Sequence, residues 1–254
     1  MTGIWLALQF FTSVPIKKEL PLGRKEVTAM YMTLPFVGAA IGLGMYTVSV
    51  TMHEWLGMGP LLTAVFIVLT GIVLTGGLHL DGWADMGDAF FSYKDREQRL
   101  AILEDPRLGA FGTIALVLLI VVKIALFNEL LLRDNISLIL LMTIPLLARA
   151  GMNMYFATER LAKNKGIAHF FQEKMSGKTV VVSSLIISAS ALLLLGIKMG
   201  TFSVPLALAM LLLVVIFLYR KWSLRHFGGV TGDLCGAFIE GMEALLWLTV
   251  LCFS

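Results

Sequence analysis

Residues 76–88 read GGLHLDGWADMGD and begin within the last five residues of an uncharged run that covers residues 55–80. Three carboxylates stand in this stretch, at Asp81, Asp85 and Asp88. Positions i, i+4 and i+7 of a helix fall within roughly 60° of arc, so the three acids would share one face. Unpaired acids on one stripe repel each other, and clustered oxygen ligands suit Mg²⁺ or Mn²⁺. The stretch therefore predicts a metal-binding helix at the end of a membrane span.

The alternative for this stretch is a solvated helix end whose acids align without binding anything. That alternative does not account for the glycines around the acids, among them Gly82, which leave room for a ligand or for another backbone. His79 is interpreted first as a polar residue at the membrane interface. It is also kept as a candidate for substrate binding, together with Gly82.

The composition indicates an integral membrane protein. Hydrophobic residues make up 58% and charged residues 15% of the 254 residues, and the mean hydropathy is +0.86. Soluble domains average about 45–50% apolar and about 25% charged residues. We expect a single membrane domain over residues 1–254. The net charge of +3 is too small to indicate nucleic acid as a partner.

Hydropathy predicts an all-α polytopic bundle of about seven transmembrane helices. Residues 1–16 are uncharged but short for a span, so an interfacial or re-entrant helix is expected there. Small residues in the first span, including Gly38 and Gly42, let another helix approach closely and would permit a homo-oligomer. The predicted spans cover residues 28–52, 55–78, 110–132, 136–157, 179–197, 201–219 and 234–253.

The lysines and arginines of the connections predict the orientation in the lipid bilayer. From the N-terminus to the C-terminus, the successive connections carry 4, 0, 4, 1, 5, 1, 3 and 0 of them. This alternation places the N-terminus and all long connections in the cytoplasm. The three acids of residues 76–88 would then face the cytoplasm from the inner membrane.

Residues 104–112, EDPRLGAFG, form a second candidate motif just before the third span. Asp105 and Arg107 flank Pro106, and a proline at this point favours the start of a helix over its middle. Arg107 could bind a phosphate through two parallel hydrogen bonds, and Asp105 could add a carboxylate ligand to the metal. The alternative is an ordinary helix start with a charged anchor at the lipid headgroups.

Residues 228–243, GGVTGDLCGAFIEGME, form the third motif. Asp233 and Glu240 lie seven residues apart on one helical face, and Glu243 follows one turn later. Ionisable groups at membrane depth are costly and usually face a polar cavity. The turn before this helical segment could bind a phosphate through its backbone N–H groups or be purely structural. Its candidate phosphate-binding residues are Gly228, Gly229, Thr231 and Gly232.

Two basic residues lie inside predicted spans. Arg149 is about 12 Å from the cytoplasmic end of its span by helix rise. Phosphate binding is favoured only slightly over snorkelling of this side chain to the interface. Lys123 lies toward the outer end of its span and is predicted to snorkel there.

Phosphoryl transfer requires groups that position a phosphate and neutralise its charge. The chain offers such groups on one face of the membrane: acids for a metal, arginines for phosphate and glycine turns. The chain has neither a Walker lysine loop nor a kinase motif. An enzyme that joins two substrates fits this pattern better than a hydrolase of soluble nucleotides.

Four segments together resemble the adenosylcobinamide-GDP ribazoletransferases, the cobalamin synthase family. They occur in the family's order, and with the length and hydropathy the resemblance extends over nearly the whole chain, with two mild departures at Trp83 and at Met86–Gly87. The segments are ALQFFTSVP at residues 7–15, GGLHLDGWADMGDAF at 76–90, EDPRLGAFG at 104–112 and GGVTGDLCGA at 228–237.

The resemblance implies the last assembly step of the cobamide nucleotide loop. The ribose 3′-hydroxyl of α-ribazole, or of its 5′-phosphate, attacks the cobinamide-linked phosphorus of adenosylcobinamide-GDP, and GMP leaves. Mg²⁺ is expected as the cofactor and the cytoplasmic membrane as the location.

Roles for individual residues are expected from the same resemblance. Asp81, Asp85 and Asp88 would hold Mg²⁺ against the diphosphate. Either Asp105 or Asp233 would complete the metal shell or take the proton of the attacking hydroxyl. Charge developing on GMP would be stabilised by Arg107 and Arg149.

Two other functions are weighed against this one. A CDP-alcohol phosphotransferase has a related Asp-Gly metal motif, but it requires an Asp where this chain has Leu78 and an Arg where it has Asp85. A cation-coupled transporter could use Glu240, Glu243 and Arg149 as an ion path. Against a transporter, the acids lie at one face of the membrane and not at its midplane, and the sequence contains no evident inverted repeat.

Overall fold

A computed structural model describes residues 2–253 of the chain. All named secondary-structure elements of the described residues are helices, which confirms the prediction of an all-α bundle. A π-helical turn, Thr51–Trp55, extends the second helix. The α-helices are α1 (Thr2–Phe11), α2 (Arg24–Val50), α3 (Pro60–Thr75), α4 (Leu78–Phe91), α5 (Arg96–Ile102), α6 (Ala110–Leu132), α7 (Leu138–Thr158), α8 (Ile167–Lys174), α9 (Gly177–Met199), α10 (Ser203–His226) and α11 (Gly232–Cys252).

Six helices of the described chain are long and apolar enough to cross a membrane, and α3 with α4 makes a seventh span if this bent pair is counted as one. The prediction of about seven transmembrane helices is therefore confirmed. The six are α2 with its π-helical turn, α6, α7, α9, α10 and α11. In α6 and α10, less than a third of the most apolar window is buried, which is expected of helices that face lipid.

The second predicted span is interrupted by a sharp bend of 94° between α3 and α4. Gly76 and Gly77 both adopt left-handed backbone conformations, with φ of 65° and 76°. Glycine populates this region without the steric penalty that a Cβ brings, so two in succession can turn the chain. The bend carries α4 away from the axis of α3. Residues 55–78 are thus not a straight span, which the hydropathy pattern alone did not indicate.

Helix α7 forms the centre of the bundle and is the most buried of the candidate spans. Helix α2 packs closely against it at Gly38 and Gly42. A Cβ at Gly38 would lie 2.5 Å from the Pro145 carbonyl oxygen, and one at Gly42 would overlap the backbone of Leu141. The small residues that the sequence offered for self-association therefore serve packing within the chain.

Two short helices cover one end of the bundle. The expected N-terminal helix is present as α1, and it packs so tightly against α2 that a Cβ on Gly3 would meet Ala29 at 2.6 Å. Helix α8 lies beside it, with the Phe10 and Phe171 rings edge to face at 5.1 Å. Lys174 anchors the end of α8 by donating a hydrogen bond to the Leu22 carbonyl at 3.1 Å. These helices close over the site described next.

Candidate active site

A cavity of about 400 Å³ lies where α4 meets the N-terminus of α11, and we call it the α4–α11 cavity. Its wall has two parts. One part is polar and comes from α4, the loop after α5, the loop after α7 and the start of α11. The other part is aromatic and comes from α1, α2, α7 and α8. The polar part contains His79, Asp81, Gly82, Glu104, Lys163, Lys165, Thr231, Gly232 and Asp233.

Close packing of α4 on α11 brings three acids together. A Cβ on Gly82 would lie 2.5 Å from the Asp233 carbonyl oxygen, so glycine is required at this contact. Asp81 is exposed, while Asp85 and Asp233 are half-buried. The carboxylates of Asp81 and Asp233 are both near enough to repel that of Asp85. In the described part of the chain, the carboxylates of Asp81 and Asp85 have neither a hydrogen bond nor an ion-pair partner.

Asp88, the third acid of the predicted stripe, has a different environment. It is buried, and its two oxygens accept hydrogen bonds from the backbone N–H groups of Gly109 at 2.7 Å and Gly112 at 2.8 Å. These groups belong to the first turn of α6, which otherwise lacks acceptors for its N–H groups. Asp88 therefore caps α6 from α4. The predicted stripe is helical, but its third member points at a helix end and not at the cavity.

The carboxylates suit a Mg²⁺ ion only if substrate and water supply the rest of its ligands. Among residues 2–253, no three His, Cys, Asp or Glu side chains lie close enough to form a complete metal cluster. Mg²⁺ usually binds one or two carboxylates and takes its remaining ligands from substrate phosphates and water. The unpaired hard oxygens of Asp81 and Asp85, with Asp233 beside them, fit that pattern.

The N-terminus of α11 and two lysines lie beside the acids and are the groups of this cavity that could hold an anion. Thr231 caps α11 by accepting a hydrogen bond from the Leu234 N–H at 3.2 Å. Gly232 in the first turn lines the cavity. A helix N-terminus favours phosphate because its N–H groups and its dipole point the same way. Lys163 and Lys165 line the same cavity and both pair with Glu104, so these three side chains together add one positive charge.

The two lysines were not selected from the sequence, where they counted only as cytoplasmic charges. The pattern Lys-Asn-Lys-Gly at residues 163–166 is a basic turn that could have drawn attention to them. Lys163 is held in place by Glu104, 2.8 Å away, and by the Leu100 carbonyl at 2.6 Å. Its location depends on contacts that the sequence does not display.

The glycine turn before α11 positions this loop. Gly228 and Gly229 have φ of 80° and 150°, where a side chain would be strained. The turn pairs with the loop after α7: the Val230 N–H donates to the Arg160 carbonyl at 2.8 Å, and the Ala162 N–H donates to the Val230 carbonyl at 3.0 Å. Both glycines are therefore part of a tight structural turn. Of the four predicted phosphate-binding residues in this motif, only Thr231 and Gly232 line the cavity.

Asp105 and Arg107 bind each other. Arg107 donates from Nε to Asp105 Oδ1 at 2.9 Å and from Nη2 to Oδ2 at 2.7 Å. Its guanidinium lowers the pKa of Asp105 to about 2. The Arg107 side chain is 86% exposed, and neither residue lines the α4–α11 cavity. The structure thus does not bring this predicted pair into the site.

Arg149 and Glu240 lie in a buried charge cluster with Lys123 and Glu243. Lys123 pairs with Glu240, and its Nζ also donates to Glu243 Oε2 at 3.1 Å. Arg149 Nη1 donates to Glu243 Oε1 at 2.9 Å. The prediction that Lys123 snorkels outward is wrong, because two glutamates of α11 hold it inside the bundle. The four residues line a separate cavity of about 30 Å³.

The model of the family described as cobalamin-5-phosphate synthase matches residues 3–251. The chain belongs to this family. The resemblance inferred from the four sequence segments is thereby confirmed.

Two relatives of this family member are informative. A protein of Geobacillus thermodenitrificans named adenosylcobinamide-GDP ribazoletransferase is 39% identical over 249 residues, which cover 96% of this chain and 93% of the relative. A Klebsiella pneumoniae protein with the same name is 35% identical over 252 residues, covering 98% and 99%. No solved structure matches the chain.

His79 is the remaining candidate of this synthase-family site. Its side chain is only 2% exposed and lines the α4–α11 cavity. Both ring nitrogens are buried without a hydrogen-bond partner among the described residues. Buried polar groups are normally hydrogen-bonded, so an orphaned imidazole beside a cavity indicates a ligand.

Proposed function

We propose that this chain joins adenosylcobinamide-GDP to α-ribazole, or to its 5′-phosphate, and releases GMP. The observation that carries the proposal is the α4–α11 cavity, where unpaired acids, two lysines and a helix N-terminus meet. Such groups recognise a phosphorylated substrate and stabilise the charge that moves during phosphoryl transfer. The names of the two relatives support the choice of substrates.

Mg²⁺ is the cofactor in this proposal. Asp81 and Asp85 would hold it together with oxygens of the donor diphosphate, and Asp233 is the third acid available to it. When bound, the ion would neutralise charge on the diphosphate and on the departing GMP. Asp88 is left out of this set because both its oxygens serve the first turn of α6.

The reaction exchanges one bond at phosphorus for another. The ribose 3′-hydroxyl oxygen bonds to the cobinamide-linked phosphorus. The bond from this phosphorus to the bridging oxygen breaks, and GMP leaves with its electron pair. The hydroxyl proton passes to a carboxylate, for which Asp233 is best placed because it lines the cavity at the N-terminus of α11.

Phosphate groups of the substrates are held by residues that carry positive charge or donate hydrogen bonds. Lys163 and Lys165 supply the charge, and the first turn of α11 supplies backbone N–H groups. The α1 and α8 helices beside the cavity limit access of water, which strengthens these interactions. The acids and these donors would work on opposite ends of the same diphosphate.

The proposed location is the cytoplasmic membrane, with the α4–α11 cavity on the cytoplasmic side. The alternation of lysine and arginine along the connections supports this orientation. Lys163 and Lys165 belong to the connection that carries five of these residues. A reporter fused after residue 254 is expected to be active outside the cytoplasm, and activity inside only would contradict the orientation.

The other two functions gain no support from the geometry. The transporter hypothesis depended on Glu240, Glu243 and Arg149, but these side chains are paired with each other and with Lys123 in a neutral cluster. The phosphotransferase alternative already lacked two residues of its motif.

The test is release of GMP from adenosylcobinamide-GDP by the purified protein in lipid. Release is expected only when α-ribazole 5′-phosphate and Mg²⁺ are both present. Asp85→Asn should lower the rate at least a hundredfold, whereas Asp134→Asn, in an exposed turn on another part of the chain, should leave it unchanged. Absence of acceptor-dependent release under all of these conditions would overturn the proposed function.

A further inference from the structure

The aromatic part of the α4–α11 cavity is built from rings that touch each other. Tyr31 and Phe156 stack with centroids 5.3 Å apart, and Phe11 contacts Tyr31 at 6.1 Å. Phe171 meets both Tyr31, at 6.2 Å, and Phe10, at 5.1 Å. These five rings come from four different helices. A wall of this kind offers flat apolar faces to a ligand.

Polar groups in or beside this part of the wall are few and unsatisfied. His79 has two buried ring nitrogens without a partner in the described chain. Tyr31 is only 4% exposed, and no hydrogen bond of its hydroxyl is found within residues 2–253. The site therefore suits a ligand with a large aromatic face and one or two polar atoms at its edge.

On the proposed function, two substrates contain an aromatic base. The guanine of the donor has polar atoms along most of its edge, and burying them here would leave several without partners, at a cost for each. The base of α-ribazole is a benzimidazole, which after attachment to ribose keeps a single free ring nitrogen. The His79 imidazole can donate one hydrogen bond to such a nitrogen.

Size favours the same substrate. A cavity of about 400 Å³ lies in the range of roughly 300–1,000 Å³ that encloses one drug-sized ligand. An acceptor that consists of one base, one ribose and one phosphate belongs to that class. The donor carries a corrin macrocycle as well as a nucleotide and is several times larger, so most of it must lie outside.

We propose that the α4–α11 cavity is the acceptor site and that its aromatic part binds the base of the acceptor. The inference rests on the proposed function and adds to it the residues that select the base. The Phe11 ring stacks on the heterocycle, the buried rings of Tyr31 and Phe156 line the space beside it, and His79 is the polar residue beside its free nitrogen. The ribose then extends toward Asp233, where its hydroxyl reacts.

The experiment compares Phe11→Ala with Phe11→Tyr, because Phe11 is half-buried at the edge of the ring cluster and can be changed with little effect on the core. Loss of one stacking ring should raise the KM for α-ribazole 5′-phosphate about tenfold. The KM for adenosylcobinamide-GDP should stay constant, and Phe11→Tyr should restore the acceptor KM. Phe91→Ala, an exposed ring outside this cavity, is the matched control and should behave as the wild type.

Equilibrium binding of α-ribazole alone, in lipid and without donor or Mg²⁺, gives a second measurement that does not require turnover. The wild type should bind it, and Phe11→Ala should bind it about tenfold more weakly. A higher KM for the donor with an unchanged acceptor KM would overturn the inference and place guanine on the rings. If the wild type releases no GMP at all, the proposed function fails, while binding of α-ribazole would still decide the assignment of the cavity.

Discussion

Charged side chains gather in two regions of this molecule, and their partners differ. In the buried charge cluster, Lys123 and Arg149 face two glutamates, so two positive charges meet two negative ones. At the α4–α11 cavity, Asp81 and Asp233 line the wall and both repel the nearby Asp85, while Lys163 is a cation close to Asp233. The first region is complete without a ligand. The second leaves the carboxylates of Asp81 and Asp85 without an ion-pair partner in the described part of the chain.

Clustered charge is therefore not by itself evidence for a functional site. Both regions draw attention in the sequence because ionisable residues there fall near or inside apolar stretches. The two regions differ in whether their charged side chains form ion pairs in the folded structure. The buried cluster joins α6, α7 and α11, and we infer that it stabilises the bundle, whereas the open acids act on substrate. The following predictions test that division.

The largest effect is expected from Lys123→Met. This change leaves Glu240 and Glu243 buried with Arg149 as their one remaining cation among the four. Breaking a buried pair on one side costs about 3–5 kcal/mol because the remaining charge is uncompensated. The free energy of unfolding in detergent measures this loss.

The double variant Lys123→Met/Glu240→Gln is the control for the same region. It removes one charge of each sign and should recover more than half of the lost stability. If Lys123→Met unfolds like the wild type, the cluster does not hold the helices together and the division between the two regions is wrong.

Asp233→Asn should have the next largest effect, on rate instead of stability. The amide cannot accept the hydroxyl proton, and loss of a general base costs at least about a hundredfold in kcat. The unfolding midpoint should not fall, because one of three mutually repelling acids has been removed. GMP release and thermal unfolding of the same preparation check both statements, and a kcat within threefold of the wild type would assign the proton to another group.

Asp88→Ala should affect stability by a moderate amount. It removes the acceptors of two backbone N–H groups at the start of α6, and loss of a helix cap costs about 0.5–2 kcal/mol. Asp88→Asn keeps one carbonyl oxygen and should cost less. Chemical denaturation measures the difference, and equal stability of Asp88→Ala and the wild type would show that the capping bonds are unimportant.

The smallest effect is expected from Asp105→Asn. The pKa of Asp105 is depressed to about 2, so any stabilisation by its pair with Arg107 is present at neutral pH and lost only as the pH falls toward 2. Since the pair is exposed to water, the unfolding midpoint at pH 7 should not change measurably. The KM for the donor should also stay constant. A lower KM would mean that Arg107, once released, binds phosphate as the sequence suggested.

Much of the fold could be predicted from the sequence because apolar length and bounding charges are local properties. The limits of α6 are those expected, and those of α7, α9 and α11 differ by only a few residues. The bend between α3 and α4 could not be derived in this way. Gly76 and Gly77 permit a left-handed turn, but the packing of α4 on α11 determines that it forms.

The site was predictable in part. Asp81, Asp85, Asp233 and Gly82 were selected from spacing and composition, and the structure brings them together. The use of Asp88 as a cap depends on the first turn of α6, about twenty residues further along the chain. The partners of Lys123 lie 117 and 120 residues away in the sequence. Helical periodicity gives the depth and face of a side chain but not the helix opposite to it.

The decisive test of the metal-binding role of Asp85 is the dependence of GMP release on Mg²⁺ concentration, with Asp85→Asn and Asp88→Asn measured side by side. Both variants remove one carboxylate from the same face of α4. We predict that Asp85→Asn raises the Mg²⁺ concentration required for half-maximal release at least tenfold, while Asp88→Asn keeps the wild-type requirement and unfolds more easily. The reverse result, with the Mg²⁺ requirement shifted in Asp88→Asn and unchanged in Asp85→Asn, would contradict the account.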